Sequence, residues 1–245
     1  MILAAATDVG MHREENQDMF VYKAVSDNIA YAVVCDGMGG ANGGRIASQT
    51  ACEIISEIFD QFFETEQPPY DLALLFRRSI RMANEKIYQM SKENDDLAGM
   101  GTTVVAAIVV NNDLFVANVG DSRAYLFFGN SVQQISVDHS AVQELVELGQ
   151  ITSDQAKSHP GKNIITRALG VDSMIEFDYF TYNLFVGDTV LLCSDGLSNY
   201  CSDEYLCTVI NSSENLQDIA DDLISYANAC GGRDNITALL IKQDC

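Results

Sequence analysis

The order of the apolar segments along the chain constrains its fold more than any other feature of the sequence. Residues 44–63 and 70–92 place apolar side chains about every 3.6 residues, which predicts two long amphipathic helices. A second helical pair is predicted at residues 203–210 and 214–229, and two short helices within 139–158. Apolar or β-branched runs typical of strands lie at residues 2–6, 20–24, 29–35, 102–110, 114–119, 123–128, 132–136, 175–182, 188–193 and 236–242.

This order does not alternate strand with helix, as the βαβ units of a parallel sheet would. Each helix pair has an apolar face that must be covered, and two antiparallel sheets packed together offer one surface to each pair. We therefore predict an α+β fold, a four-layer α-β-β-α sandwich whose two central antiparallel sheets are flanked by helix pairs. Since no low-complexity linker or internal repeat interrupts the sequence, we expect a single domain over residues 1–245.

The charge balance excludes several classes of partner. The chain has 35 Asp and Glu residues against 14 Lys and Arg residues, which gives a formal net charge of −21. Nucleic acids and anionic membrane surfaces are polyanions that such a protein repels, so we expect neither as a partner. No apolar run reaches the length of about 18 residues that a transmembrane helix needs. An acidic protein that acts on phosphate needs local positive charge, which metal ions held by carboxylates would supply.

The cysteines and the first residues of the chain indicate a cytoplasmic protein. The seven cysteines are odd in number, scattered and without a C-x-x-C pair, which favours buried free thiols in a reducing compartment. The first residues lack the basic region and the longer apolar run of a signal peptide.

Acidic residues recur beside glycine where the predicted strands end. Asp36 and Asp195 each follow an apolar run and precede a glycine, Asp121 follows a glycine, and Asp234 lies in a similar polar turn. Carboxylates and carbonyl oxygens are the ligands that Mg²⁺ and Mn²⁺ prefer. A single Asp-Gly pair is most often a turn, but several such aspartates at strand ends would repel one another unless cations neutralised them. The recurrence therefore favours a metal site.

Other polar motifs allow more than one interpretation. The glycine-rich residues 36–45 could cradle a phosphate, but the P-loop and dinucleotide patterns are absent, which favours close backbone packing beside a metal. The planar guanidinium of Arg13 could bind a phosphate in a bidentate way or form a surface salt bridge. Ser122 lacks the G-x-S-x-G context of a nucleophile. The three histidines lack a zinc-binding spacing, and His12 is the best of them as a proton donor.

Taken together, these motifs resemble those of the metal-dependent protein phosphatases, the PPM or type 2C family, and especially its short bacterial members. The resemblance covers essentially the whole chain, and the segment 139–168 is similar to the flap of the bacterial members. The matching motifs are T-D-x-G-x-x-R-x-x-N-x-D from Thr7, D-G-M-G-G from Asp36, M-G-T-T from Met100, G-D-S-R from Gly120, S-D-G-L from Ser194 and R-D-N-I-T from Arg233.

The resemblance implies a centre of two Mn²⁺ or Mg²⁺ ions in the cleft between the sheets. Asp36 then bridges the two metals, and the carbonyl group of Gly37 binds one of them. Asp195 and Asp234 hold the other metal, and Asp18 acts in or next to the ligand shell.

The resemblance also implies the activity, which is hydrolysis of phosphoserine and phosphothreonine in proteins by metal-activated water. Arg13 matches the phosphate-binding arginine of the family, and Asp121 matches the position of a third, weaker metal site. The expected partners are phosphorylated proteins, including a Ser/Thr kinase, and we expect the protein to be a monomer.

Two departures from the family pattern affect the chemistry. Met38 stands where many eukaryotic relatives carry a histidine that is a proposed general acid, so a metal-bound water or His12 must protonate the leaving group. Gln17 stands where relatives often carry glutamate, which removes one negative charge near the metals.

Three other functions remain open from the sequence. The same fold could serve as a pseudophosphatase that binds phosphopeptides or regulates a partner, although the aspartates that bind metal are intact. It could hydrolyse a small phosphorylated metabolite, because the metal centre recognises phosphate and not the group behind it. A purely structural acidic protein would leave the recurring Asp-Gly motifs unexplained.

Overall fold

The computed structural model describes residues 1–66 and 68–244, apart from the side chain of Ala41. The strands are β1 (Ile2–Asp8), β2 (Asp18–Ser26), β3 (Ile29–Met38), β4 (Gly101–Thr102), β5 (Val104–Val110), β6 (Asp113–Val119), β7 (Arg123–Phe128), β8 (Ser131–Gln134), β9 (Asp178–Asn183), β10 (Thr189–Cys193) and β11 (Ile236–Lys242). The helices are α1 (Gly40–Thr65), α2 (Leu72–Glu93), α3 (Ala141–Glu147), α4 (Ser153–Lys157), α5 (Asp195–Ser198), α6 (Asp203–Ile210) and α7 (Leu216–Ala229), with a 3-10 turn at Asp95–Leu97.

The strands form two sheets in which the pairings between described neighbours are antiparallel. The first sheet has the order β2-β3-β5-β6-β9, with β4 paired to β3, and the second has the order β1-β11-β10-β7-β8. The first and last strands of the chain are partners, since Ile2 pairs with Lys242 and Asp8 pairs with Ile236. The prediction of two antiparallel sheets is confirmed.

Apolar side chains separate the structure into four layers. Helices α1 and α2 cover the outer face of the first sheet, where the rings of Phe59 and Phe76 pack edge to face with centroids 5.6 Å apart. Helices α6 and α7 cover the second sheet, with Leu223 of α7 fully buried. A third apolar cluster, which includes Val105 and Leu239, fills the space between the sheets. This is the predicted α-β-β-α sandwich.

Strand β3 continues three residues beyond its predicted end at residue 35. Its last two residues, Gly37 and Met38, pair with Thr102 and Gly101 of the short strand β4. As a result Asp36 lies within a strand and not after one, and its backbone amide and carbonyl groups bond Thr103, the residue between β4 and β5.

Helix α1 begins at Gly40, four residues before the predicted start at residue 44. Glycine has a low helix propensity, so the pattern of its first turn indicated a loop. A methyl group on Gly37 would run into the backbone carbonyl of Gly44. This contact agrees with close backbone packing as the reason for the glycines of this segment.

Helix α5 was not predicted, because Asp195 and Gly196 were interpreted as a strand-end turn. Instead, the chain turns directly into one helical turn after β10. The side chains of Ser202 and Thr152 cap the starts of α6 and α4. The side chain of Asn215 caps the start of α7.

The described cysteines are free thiols, and most of them are buried, as predicted. Among the described residues, no helix combines the length and the apolar character needed to cross a membrane. Cys245 lies outside the described residues. The buried cysteines are Cys35, Cys52, Cys193 and Cys201, whereas Cys207 is half-buried and Cys230 is exposed.

Candidate active site

One cavity of about 640 Å³ lies between the ends of the two sheets and collects most of the predicted site residues. The first sheet contributes the end of β3 and the turn after β6, and the second contributes the residues that follow β10 and precede β11. The predicted residues that line it are Arg13, Asp36, Gly37, Asp121, Asp195 and Asp234.

Asp18 is the predicted site residue that does not line the cavity. It is buried and is the cross-strand neighbour of Asp36 in the pairing of β2 with β3. Its Oδ2 accepts hydrogen bonds of 2.7 Å from the hydroxyl groups of Ser194 and Thr237, both in the second sheet region. Its Oδ1 is buried without a hydrogen-bond partner among the described residues.

The environment of Asp18 opposes its negative charge. Burial raises the pKa of Asp18 to about 7, against the opposing effect of the Ser194 and Thr237 hydrogen bonds. The charges of Asp195 and Asp234 raise the pKa further. A buried carboxylate oxygen without a donor is suited to face a cation.

The backbone around Asp36 is held by hydroxyl groups from neighbouring strands. The amide N–H group of Asp36 donates to Oγ1 of Thr103 at 2.9 Å, and the Thr103 amide donates to the Asp36 carbonyl oxygen at 2.9 Å. Thr103 Oγ1 also lies 2.7 Å from Oγ of Ser122, the residue after Asp121. This chain of hydrogen bonds fixes Asp36 relative to Asp121 across the two strand ends.

The Asp36 carboxylate itself accepts no hydrogen bond from the described residues. Burial raises the pKa of Asp36 well above its usual range, and the charge of Asp18 is the next cause. Burial also raises the pKa of Asp121 to about 7, with a further contribution from Asp195. The positive charge of the neighbouring Arg123 lowers the pKa of Asp121. However, Arg123 donates hydrogen bonds from Nε and Nη2 to the carboxylate of Asp138, the shortest being 2.7 Å.

Asp195 begins helix α5. Its Oδ2 accepts a hydrogen bond of 3.0 Å from the Asn199 side chain one helical turn later, while its Oδ1 is buried without a partner among the described residues. Burial raises the pKa of Asp195 to about 6, and the charge of Asp234 raises it further. Asp195 thus has the same arrangement as Asp18, with one oxygen held by the protein and one left for another partner.

Arg13 forms an ion pair with Asp234, with Nη2 2.8 Å from Oδ2. This contact agrees with the salt-bridge interpretation of Arg13, although the half-exposed side chain also lines the cavity and keeps other N–H groups available. The loop that carries Arg13 is fixed by Asn235, whose side chain donates to the carbonyl groups of Val9 and Glu15 at 2.9 Å.

These residues fit divalent cations. Four carboxyl groups have raised pKa values, because the protein buries them together without enough positive charge. Within the described residues, no group of three or more acidic, histidine or cysteine side chains is placed to hold an ion by itself. A cation here would therefore complete its ligand shell with backbone carbonyl oxygens and water, which suits Mg²⁺ and Mn²⁺.

The two residues that depart from the family pattern lie at the candidate active site. Met38 and Gln17 both line the cavity. The Gln17 side chain donates a hydrogen bond of 3.0 Å to the carbonyl oxygen of Gly40. His12 is exposed and is not part of the cavity lining, which argues against it as the proton donor.

The sequence interpretation missed several residues that support or line the site. Ser194, Thr237 and Asn235 all belong to motifs that were recognised, but nothing in the local pattern indicated which way their side chains point. Asn163 lines the cavity from the segment predicted as the flap and carried no signal of its own.

Comparison with known proteins identifies the family. The model of the family described as protein phosphatase 2C matches residues 11–240. The chain is 40% identical over 240 residues to the serine/threonine phosphatase stp of Listeria welshimeri, which covers 97% of this chain and 94% of that protein.

Solved structures of serine/threonine phosphatases have the same fold as this chain. The serine/threonine phosphatase of S. agalactiae superposes with a TM-score of 0.90 at 36% identity, covering 98% of both chains. The catalytic domain of PstP in complex with two manganese ions superposes with a TM-score of 0.86 at 32% identity, covering 100% of this chain and 98% of that one. The chain therefore belongs to the protein phosphatase 2C family of metal-dependent serine/threonine protein phosphatases.

Proposed function

We propose that this cavity hydrolyses phosphoserine and phosphothreonine in proteins and that it holds two Mn²⁺ or Mg²⁺ ions. The observation that carries the proposal is the set of buried carboxylates at one cleft, two of which keep a buried oxygen without a partner among the described residues. Such a set is unfavourable on its own and becomes favourable once cations are bound.

The residues have distinct roles in this proposal. Asp36, Asp195 and Asp234 would hold the two cations together with the carbonyl oxygen of Gly37. Asp18 would support these ligands from its buried position beside Asp36. Divalent cations bound there acidify water and neutralise charge on the phosphoryl oxygens.

Arg13 binds the phosphoryl group of the substrate. Its guanidinium group is oriented by the ion pair with Asp234, and the side chain lines the cavity. A planar guanidinium group can donate two parallel hydrogen bonds to two phosphoryl oxygens. The described side chains that line the cavity include no histidine, so the leaving oxygen takes its proton from water.

Several further features belong to the same proposal. Asp121 contributes to a third, weaker cation site, and residues 1–245 act as one catalytic domain with residues 139–168 as its flap. A Ser/Thr kinase is among the phosphoprotein substrates, and the enzyme works in the cytoplasm as a monomer. The family match supports phosphorylated proteins as the class of substrate.

Phosphate release from a phosphothreonine peptide tests the proposal. The parent protein should be active with Mn²⁺ and inactive with excess chelator, and Asp36→Asn should lose at least about a hundredfold in kcat, as is typical for loss of electrostatic stabilisation. Asp222→Asn removes an exposed carboxylate on α7 and should keep parent activity. A parent protein that binds the phosphopeptide with Mn²⁺ but releases no phosphate would instead support the pseudophosphatase. Selective hydrolysis of small phosphate esters would favour a metabolite substrate.

A further inference from the structure

A second cavity of about 360 Å³ adjoins the candidate active site. It shares Met38 and Ile165 with the first cavity, so the two cavities are direct neighbours. Its outer wall is the irregular segment 165–176, which connects the predicted flap to β9. We call this second cavity the side groove.

Apolar side chains dominate the side groove, and folding leaves several of them exposed. Met174 is 85% exposed and Val171 is 46% exposed, and Ile175 completes this wall. Behind this wall, a methyl group added to Gly101 would meet the Leu169 carbonyl oxygen, the end of Met38 and the side chain of Val171, so the backbone of β4 packs closely against it. Exposed apolar side chains gathered around a concave surface are typical of a binding site.

The wall of the side groove is rigidly connected to the strand that carries Asp36. Leu169 and Thr102 exchange two backbone hydrogen bonds of 2.8 and 3.1 Å. The Thr102 hydroxyl in turn donates to the carbonyl oxygen of Asp36 at 2.9 Å.

Helix α2 holds the same wall from behind. The side chain of the buried Asn84 accepts a hydrogen bond from the Gly170 amide at 2.8 Å and donates to the Asp172 carbonyl oxygen at 3.0 Å. A preformed groove binds a ligand without the cost of ordering its own wall.

Polar groups at the side groove suit a peptide backbone better than a second phosphate. Arg167 bonds Asp178 and His139 through Nη1, at 3.3 and 3.2 Å, and its other N–H groups have no partner among the described residues. These groups can donate to peptide carbonyl oxygens. Asp172 and Glu176 also line the groove and disfavour an acidic side chain.

We propose that the side groove binds an apolar side chain, such as Leu or Met, that lies next to the phosphorylated residue in the substrate. The shared wall with the active-site cavity carries this assignment, because Met38 and Ile165 place the side groove beside the site where Asp36 and Arg13 would meet the phosphate. The inference rests on the proposed function and adds a sequence preference to it.

The test compares phosphothreonine peptides that differ only in the residues flanking the phosphate, with Leu or Ser placed at each of three positions on either side. At one position or more, Leu should raise kcat/KM about three- to tenfold, the range expected for a partly open apolar site. A small aryl phosphate, which has no flanking residue, provides the reference activity.

Substitutions in the side groove test whether it causes the preference for Leu. Met174→Ser combined with Val171→Ser changes exposed side chains, and it should reduce the Leu/Ser ratio to about one while leaving hydrolysis of the aryl phosphate unchanged. Met174→Leu should keep the ratio. Phe185→Ser is the matched control, since Phe185 is 74% exposed but follows β9 at the end of the sheet where Asn183 pairs with Asp113, away from the cavity.

The outcomes separate this inference from the proposed function. Equal kcat/KM for Leu and Ser peptides at every position, or a Leu preference that survives the double variant, would overturn the assignment of the groove. Inactivity towards both the peptides and the aryl phosphate with Mn²⁺ would overturn the proposed function and this inference with it.

Discussion

Neutralising Asp121 should stabilise the metal-free protein at neutral pH, although Asp121 is a proposed metal ligand. Burial and the charge of Asp195 raise the pKa of Asp121 from 3.8 to about 7. A carboxyl group whose pKa is higher in the folded state stabilises the protein fully below its unfolded pKa, and this contribution is lost as the pH rises through the folded value. The Asp121→Asn variant has no carboxyl group to ionise, so this loss does not occur. Its gain in unfolding free energy over the parent protein should therefore grow between about pH 4 and pH 7.

The size of the effect follows from the pKa shift. About three pKa units at about 1.4 kcal/mol each set an upper limit of about 4 kcal/mol. The half-buried side chain shares its shift with neighbouring carboxylates and is partly screened by water, so about 1–2 kcal/mol is expected. For a chain of this length, that difference corresponds to roughly 2–8 °C in melting temperature.

Thermal melting in excess chelator at several pH values measures this difference. Asp121→Asn should melt higher than the parent protein at pH 8 and at the same temperature at pH 4, and Asp222→Asn should match the parent protein at both. Added Mn²⁺ should reduce or reverse the gain. An equal gain at pH 4 and pH 8, or no gain at pH 8, would refute the argument that buried charge repulsion acts on Asp121.

Three other substitutions test separate parts of the structure. Arg13→Ala should lower kcat/KM for a phosphopeptide about a hundredfold without changing the melting temperature, and unchanged kinetics would remove Arg13 from phosphate binding. Gly37→Ala should lower the free energy of unfolding, measured with urea, by about 3 kcal/mol, because the added methyl group would collide with the backbone of α1. A variant that is as stable and active as the parent protein would contradict that contact. Asn84→Ala removes the hydrogen-bond partner of the Gly170 amide and the Asp172 carbonyl group, and it should lower the free energy of unfolding by about 2 kcal/mol. A decrease below about 0.5 kcal/mol would show that these bonds do not hold the wall of the side groove.

The fold was predictable from sequence because apolar residues recur at a regular spacing in its long helices and fill its long strands. Strand β11 was predicted with its observed bounds, since six consecutive apolar or β-branched residues precede Lys242. The boundaries of β3 and α1 were predicted less well. Pairing with β4, which is distant in sequence, extends β3 past its apolar run. The glycines at the start of α1 have a low helix propensity, so the local sequence did not indicate a helix that tertiary contacts stabilise.

The candidate site was predictable as a set of motifs but not as an arrangement. The acidic motifs indicated which carboxylates carry the chemistry. The hydrogen bonds from Ser194 and Thr237 to Asp18 depend on the packing of one sheet against the other, which local sequence does not encode. The side groove was missed for the same reason, because Met38 and Met174 meet only through the path of an irregular loop.

The central claim is that the carboxylates of this cavity hold the metals on which phosphate hydrolysis depends. A crystal of the protein grown with Mn²⁺ and measured at the manganese absorption edge tests it most directly. The account predicts two anomalous peaks inside the cavity, among Asp36, Asp195 and Asp234. Manganese peaks confined to other parts of the protein, in crystals whose dissolved protein hydrolyses phosphothreonine peptides, would contradict it.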